Sequence, residues 1–90
     1  MEIIWDPDKA ALNMIKHGVR FSDAEAALWD ALALTLEEQV HAGEKRHVTL
    51  GMSMTGFLVV VVYVYRGECI RIISARKATK RERKSYGKGI

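Results

Sequence analysis

The nine-residue run Phe57-Leu-Val-Val-Val-Val-Tyr-Val-Tyr65 constrains the fold more than any other feature of the chain. It is apolar at both alternating sets of positions, so as a strand it must be covered on each face, which puts it at the centre of a sheet and not at an edge. A helix that crosses a bilayer needs about twenty apolar residues, more than this run offers. Its neighbours follow from it. Arg66-Gly67-Glu68 is a tight connection to a second apolar strand, Cys69 to Ala75, which predicts an antiparallel hairpin. Arg46 to Met52 alternates Val48, Leu50 and Met52 with His47, Thr49 and Gly51, the pattern of a half-buried strand, and Ser53-Met54-Thr55-Gly56 turns it into the central run. Short strands are expected at Glu2 to Trp5 and Ala33 to Leu36, with a polar loop from Glu37 to Lys45.

Helices are marked by their ends. Asp6 is an N-cap and Pro7 a first helical residue, where a missing N–H costs nothing, so a helix runs from Pro7 to Lys16 and stops at Gly18. It places Ala11 and Ile15 on one stripe, with Ala10 and Met14 beside them. Ser22 and Glu25 read as a capping box for a second helix, Asp23 to Asp30, with Phe21 stapled against Ala26. Thr79 and Glu82 form another box, for a basic helix from Lys80 to Tyr86 ended by Gly87. No repeat or linker divides the 90 residues, and a chain of this length supports one core. The expectation is a single α+β domain over residues 1–90, with N-terminal helices packed on an antiparallel sheet and a short basic C-terminal helix.

The net charge of +3 conceals an asymmetry. Residues 66–90 hold nine of the fourteen Lys and Arg but only Glu68 and Glu82 of the eleven acids, a net +7 against −4 for the rest. Clustered cations of this kind gain affinity for phosphates by displacing counterions. Cys69 has no partner in the chain, which excludes an internal disulfide framework, fits a reducing compartment, and reads as a small buried hydrophobe. The first residues lack the basic start and long apolar stretch of a signal peptide, so a soluble, cytoplasmic protein is expected.

Spacing excludes several chemistries. His17, His41 and His47 lack helical zinc spacing and have no Cys pair or carboxylate cluster beside them, so no metal is expected. There is no phosphate-binding loop, dinucleotide fingerprint or nucleophile elbow, and no cofactor is expected. What remains is a basic set that includes side chains able to move protons: Lys16, His17, Arg46, His47, Arg71, Arg76, Lys77, Lys80, Arg81, Arg83, Lys84 and Tyr86. It suits RNA cleavage without metal, in which the ribose 2′-hydroxyl attacks its own phosphate, Arg forks match the phosphate oxygens, and His17 serves as acid or base. Arg71 is the sharpest anomaly, interrupting Ile70-Arg71-Ile72-Ile73 and pointing away from the Ile70 and Ile72 face. The structural alternatives are an Arg71 that lies over the sheet paired with Glu68 or another acid, a Lys16-His17-Gly18 that merely ends a helix, and a solvated basic face on the last helix. Trp5, Trp29, Tyr63 and Tyr65 read as packing residues.

With those residues in view, the chain resembles the BrnT family of toxins from bacterial type II toxin-antitoxin systems. The resemblance runs through Trp5-Asp6 with Lys9, Asn13, Lys16-His17-Gly18-Val19, Phe21 with Ala24-Glu25-Ala26, Glu44-Lys45-Arg46 to Gly51, Leu58 to Tyr63, and Arg71-Ile-Ile-Ser-Ala-Arg-Lys-Ala78, ending in Glu82, Arg83 and Tyr86. It implies a RelE-like fold, ribonuclease activity that halts translation, and neutralisation by a BrnA-like antitoxin, as a heterotetramer that reaches operator DNA only through the antitoxin. It makes His17, Arg46, Arg71, Arg76 and Tyr86 the catalytic candidates, with Arg71 and Arg76 on the scissile phosphate, Arg46 assisting, and His17 and Tyr86 moving protons. Lys16, Lys77, Lys80, Arg81, Arg83 and Lys84 are the RNA-binding candidates. The alternative is a noncatalytic module that binds nucleic acid or an acidic protein segment.

Overall fold

In the computed structural model, which describes residues 1–87, the central run becomes the middle strand of the sheet; the last part of the glycine-rich end, residues 88–90, lies outside the described residues. The elements are β1 (Glu2–Ile4), α1 (Pro7–His17), α2 (Phe21–Leu28), β2 (Leu34–Thr35), β3 (Gln39–His41), β4 (Glu44–Met52), β5 (Leu58–Arg66), β6 (Cys69–Lys77) and α3 (Lys80–Ser85). The sheet order is β1-β6-β5-β4-β2, with β3 paired to β4 off that path. Val59 and Val61 of β5 pack with Phe21, Ala24 and Ala27 of α2 and with Ile72 and Ala75 of β6. On the opposite face Val60 packs with Val48, Leu50, Ala78 and, at the end of α3, Tyr86. Four valines at or below 1% exposure, Val59, Val60, Val61 and Val64, each contribute about 1.5–3 kcal/mol of apolar burial.

The sheet is mixed, not purely antiparallel: β1 runs parallel to β6, pairing Ile3 with Ile70 and Ile4 with Arg71. The long stretch of chain between β1 and β6 permits this parallel pair, which a tight turn could not make. The expected polar loop contains β3, joined to β4 by a two-residue turn in which Ala42 and Gly43 have φ of 51° and 79°. Both central residues of such a turn need positive φ, and an Ala in the first position conceals the usual signal. The hairpin of β5 and β6 matches expectation, with Gly67 at φ 61° opening its two-residue loop.

Helix α1 starts as predicted, with Asp6 accepting from the Asp8 N–H at 2.8 Å, and stops at Gly18 with φ 70°. Of its expected apolar positions Ala10 packs against the core, but α1 lies along the β6 edge through Asn13, and this leaves Ala11 exposed, Ile15 83% exposed and Met14 42% exposed. The Asn13 amide donates to the Ala75 carbonyl at 2.8 Å and to the Val19 carbonyl at 2.9 Å, and its oxygen accepts the Ala75 N–H at 3.1 Å. One side chain thereby satisfies the edge of β6 where β1 no longer runs beside it.

Helix α2 begins two residues earlier than its capping signal, with Arg20 as a cap that makes no side-chain bond, and ends at Leu28. Burial of Phe21 to 1% outweighs the Ser22 cap, so Phe21 sits inside the helix and not as a staple before it. Gly51 permits the close approach of α2 to β4: a Cβ there would stand 2.6 Å from the Ala27 carbonyl oxygen. Trp5 meets Phe21 edge-on at 6.1 Å, whereas Trp29 is 62% exposed and not a packing residue. Cys69 is half-buried and not fully enclosed, with its Sγ 3.5 Å from the Glu2 carboxylate.

Candidate active face

The face of the sheet that carries α3 collects the guanidinium groups. Val60, Val62 and Val64 alternate along β5, and their partners on β6 are Arg76, Ser74 and Arg71. Five residues apart, Arg71 and Arg76 would project from opposite faces of a regular strand. A β-bulge puts them on one face, with Ser74 between them: Val62 pairs with Ser74 and Tyr63 with Ile72, so Ile73 is an extra residue that resets the alternation. Arg46 joins them from β4, one step beyond the His47–Tyr63 pair and therefore opposite Val64 on its other side. Arg46, Val64 and Arg71 thus form a row across three strands.

Each cation has a distinct environment. Arg71 is 3.7 Å from the Asp6 carboxylate, with its side chain 32% exposed. The Arg46 Nε is buried with no hydrogen-bond partner among the described residues. Arg76 donates to both Glu82 oxygens at 2.8 and 2.9 Å, a bidentate pair that also receives the Thr79 N–H at 2.8 Å. Those bonds, opposed by partial burial, hold the Glu82 carboxyl down at about 2.

Tyr86 follows α3 and donates its hydroxyl to Asp30. That bond, together with burial, pushes the Tyr86 phenol up. Burial opposes ionisation of Asp30, but its bonds from Tyr86 and from the Leu32 and Met52 N–H groups outweigh this and hold the carboxyl below its ordinary range. His17 ends α1 on the other side, where Lys9, Leu12, Asn13, Lys16, His17, Ile73 and Ser74 line a groove of about 210 Å³. Ser74 lies between Arg71 and Arg76, so this groove opens beside the guanidinium row. His17 and Tyr86 do not meet: one lies by the β6 edge, the other is tied to Asp30 and through it to the end of β4.

Lys80, Arg81 and Lys84 are exposed along α3. Arg83 bends back to the Ala78 carbonyl at 3.1 Å, and Lys77 lies 4.7 Å from the centre of the Phe57 ring. Sequence reasoning missed Asp30, Glu82 and Asp6 as partners of the candidate residues. Glu82 had a readable signal, its place in the capping box; Asp30 and Asp6 had none, because their partners are distant in sequence. Among the described residues no three His, Cys, Asp or Glu side chains come together, and no helix is long and apolar enough to cross a membrane.

Comparison with known proteins agrees with this architecture. The family model described as the ribonuclease toxin, BrnT, of type II toxin-antitoxin systems matches residues 5–82. The crystal structure of the Brucella abortus ribonuclease toxin BrnT is similar at 30% identity and a TM-score of 0.68, covering 89% of this chain and 99% of that one. A search of curated proteins gives no match. The match over most of the length, with a fold shared at that identity, means that the chain belongs to the BrnT family of ribonuclease toxins of type II toxin-antitoxin systems.

Proposed function

We propose that the chain is a single RelE-like toxin domain over residues 1–90, an endoribonuclease that cuts RNA without metal and so inhibits translation in the cytoplasm. The observation that carries this reading is the face phased by the bulge, on which Arg71 stands in a row with Arg46 and Arg76 lies further along β6. In the reaction the ribose 2′-oxygen bonds to the adjacent phosphorus and the bond to the departing 5′-oxygen breaks, leaving a cyclic phosphate and a 5′-hydroxyl. The 2′-hydroxyl loses its proton to a base and the 5′-oxygen gains one from an acid. Arg71, with Arg46 across Val64 from it, is suited to the charge that builds on the phosphate oxygens, a role planar guanidinium groups fill well. Arg76 joins them by exchanging one of its Glu82 bonds for phosphate.

His17, beside Ser74 at the mouth of the groove, is the proton-transfer group we favour, with Lys16 and Lys9 on the RNA backbone. Tyr86 acts on a proton only in a state in which its hydroxyl has left Asp30. Lys77, Lys80, Arg81, Arg83 and Lys84 attract the strand. The partner is an antitoxin of the BrnA kind, forming a heterotetramer that touches operator DNA through the antitoxin.

Induced expression with primer extension on cellular RNA tests the enzymatic core. Wild type should arrest growth and leave discrete cuts, while Arg71→Ala and Arg46→Ala, shown folded by circular dichroism, should cut about a hundredfold less. Wild type that neither arrests growth nor cuts, indistinguishable from Arg71→Ala, would sink the proposal.

A further inference from the structure

Phe57 stands just before β5 and remains 52% exposed although Lys77 lies over its ring. Its backbone is fixed: the Phe57 N–H donates to Ser53 Oγ at 3.2 Å, the Ser53 N–H donates to the Phe57 carbonyl at 2.8 Å, and the Met54 N–H ties the turn to the Asp23 carbonyl at 2.9 Å. An aromatic ring is therefore presented to solvent on a rigid mount. Beside it is a recess of about 330 Å³, at the lower end of the roughly 300–1,000 Å³ typical of small-ligand sites. Met52, Leu58 and Ala78 give it apolar walls, Phe57 an aromatic one, and Lys77 and Arg83 its charge. No acid lines it, and among the described residues neither cation is in an ion pair. A smaller recess on the other side of Phe57, which Lys77 also lines, has Arg20 and the acid Asp23 in its wall.

An exposed ring beside unpaired cations is the arrangement that binds single-stranded nucleic acid, with a base stacking on the ring and phosphates following the charge. Leu58 and Ala78, which line the recess, pack on the same face of the sheet as Val60, the partner of Arg76, so the recess lies at the end of the face that carries the guanidinium groups, with Lys77 reaching it from the opposite face. We infer that this recess is a nucleotide subsite in which one base of single-stranded RNA stacks on the free face of Phe57 while Lys77 and Arg83 hold its flanking phosphates. The inference rests on the ribonuclease reading for the direction of the strand, but base stacking can be measured without cleavage.

The test uses the full chain and a short fluorescent 2′-O-methyl oligoribonucleotide, which offers no 2′-hydroxyl for attack. Anisotropy should show Phe57→Ala weakening binding about five- to a hundredfold, with Phe57→Trp restoring it. Replacing one base at a time by an abasic unit should find one position whose loss weakens wild type but leaves Phe57→Ala unchanged. Lys77→Gln with Arg83→Gln should weaken base-containing and abasic strands alike. Equal binding of every abasic strand by wild type would overturn the subsite, as would Phe57→Ala binding like wild type. Competition by a free 5′-mononucleotide as strong as by the oligonucleotide would overturn its assignment to a strand. Failure of cleavage with these binding results intact counts against the ribonuclease reading alone, and normal cleavage with no Phe57 dependence of binding counts against the subsite alone.

Discussion

At the scale of single residues, the side chain with the most structural consequence is Asn13, a buried amide that completes the edge of β6 by three hydrogen bonds. Asn13→Ala leaves the Ala75 N–H and two carbonyls without that partner, and each buried group so orphaned costs about 1–3 kcal/mol. Incomplete desolvation at the edge brings the expected total to about 2–4 kcal/mol, read as a fall in the urea midpoint at unchanged slope. Asn13→Asp should cost at least as much, since a carboxylate cannot donate to the Ala75 and Val19 carbonyls. A midpoint unchanged in both variants would show that water satisfies the edge equally well. Asn13 was legible as part of a family motif but not as a structural device, because nothing local marks a helix residue whose partners lie on a strand sixty-two positions away. Arg71 was readable as an anomaly, and both considered outcomes hold: it faces away from Ile70 and Ile72, and it sits near an acid, Asp6.

At the scale of elements, α3 is short and is held by its start. Its capping box, Thr79 with Glu82, was visible in the sequence; that the same Glu82 clamps Arg76 was not. The clamp gives a pH dependence with a definite sign. The Glu82 carboxyl titrates near 4.5 when free and at about 2 when folded, so its contribution is fully present above pH 4.5 and is lost as pH falls through 2. Glu82→Gln keeps a side chain that can close the box but removes the charge. Wild type should therefore be more stable than Glu82→Gln by about 1–2 kcal/mol at pH 6, a modest figure because Arg76 is 41% exposed, with the gap shrinking below pH 4.5 and closing as pH falls through 2. Urea denaturation of both proteins across that range checks it; a gap independent of pH would show that the carboxylate charge is immaterial. Helix α2 gives the contrary lesson, since its capping signal at Ser22 lost to the burial of Phe21, a tertiary term larger than a cap.

For the whole molecule, the basic end of the chain is divided by the fold between two locations, the guanidinium row on the sheet and the exposed cations of α3. If α3 attracts RNA through charge alone, replacing Lys80, Arg81 and Lys84 by Gln should reduce the salt dependence of oligonucleotide binding. Each phosphate contact with a single strand adds about 0.7 to the logarithmic slope, so the slope should fall by about 2, with little change in stability. An unaltered slope would assign those cations to the antitoxin or to solvent. By itself the sequence determined the central strand, its hairpin, the caps of α1 and α3 and the concentration of cations, because alternation, turn chemistry and capping act over a few residues. Only the tertiary structure decided the parallel docking of β1, the edge role of α1 and the bulge at Ile73 that puts Arg71 and Arg76 on one face. Those depend on which distant backbone groups become neighbours, and strict alternation along β6 would have set the two arginines apart.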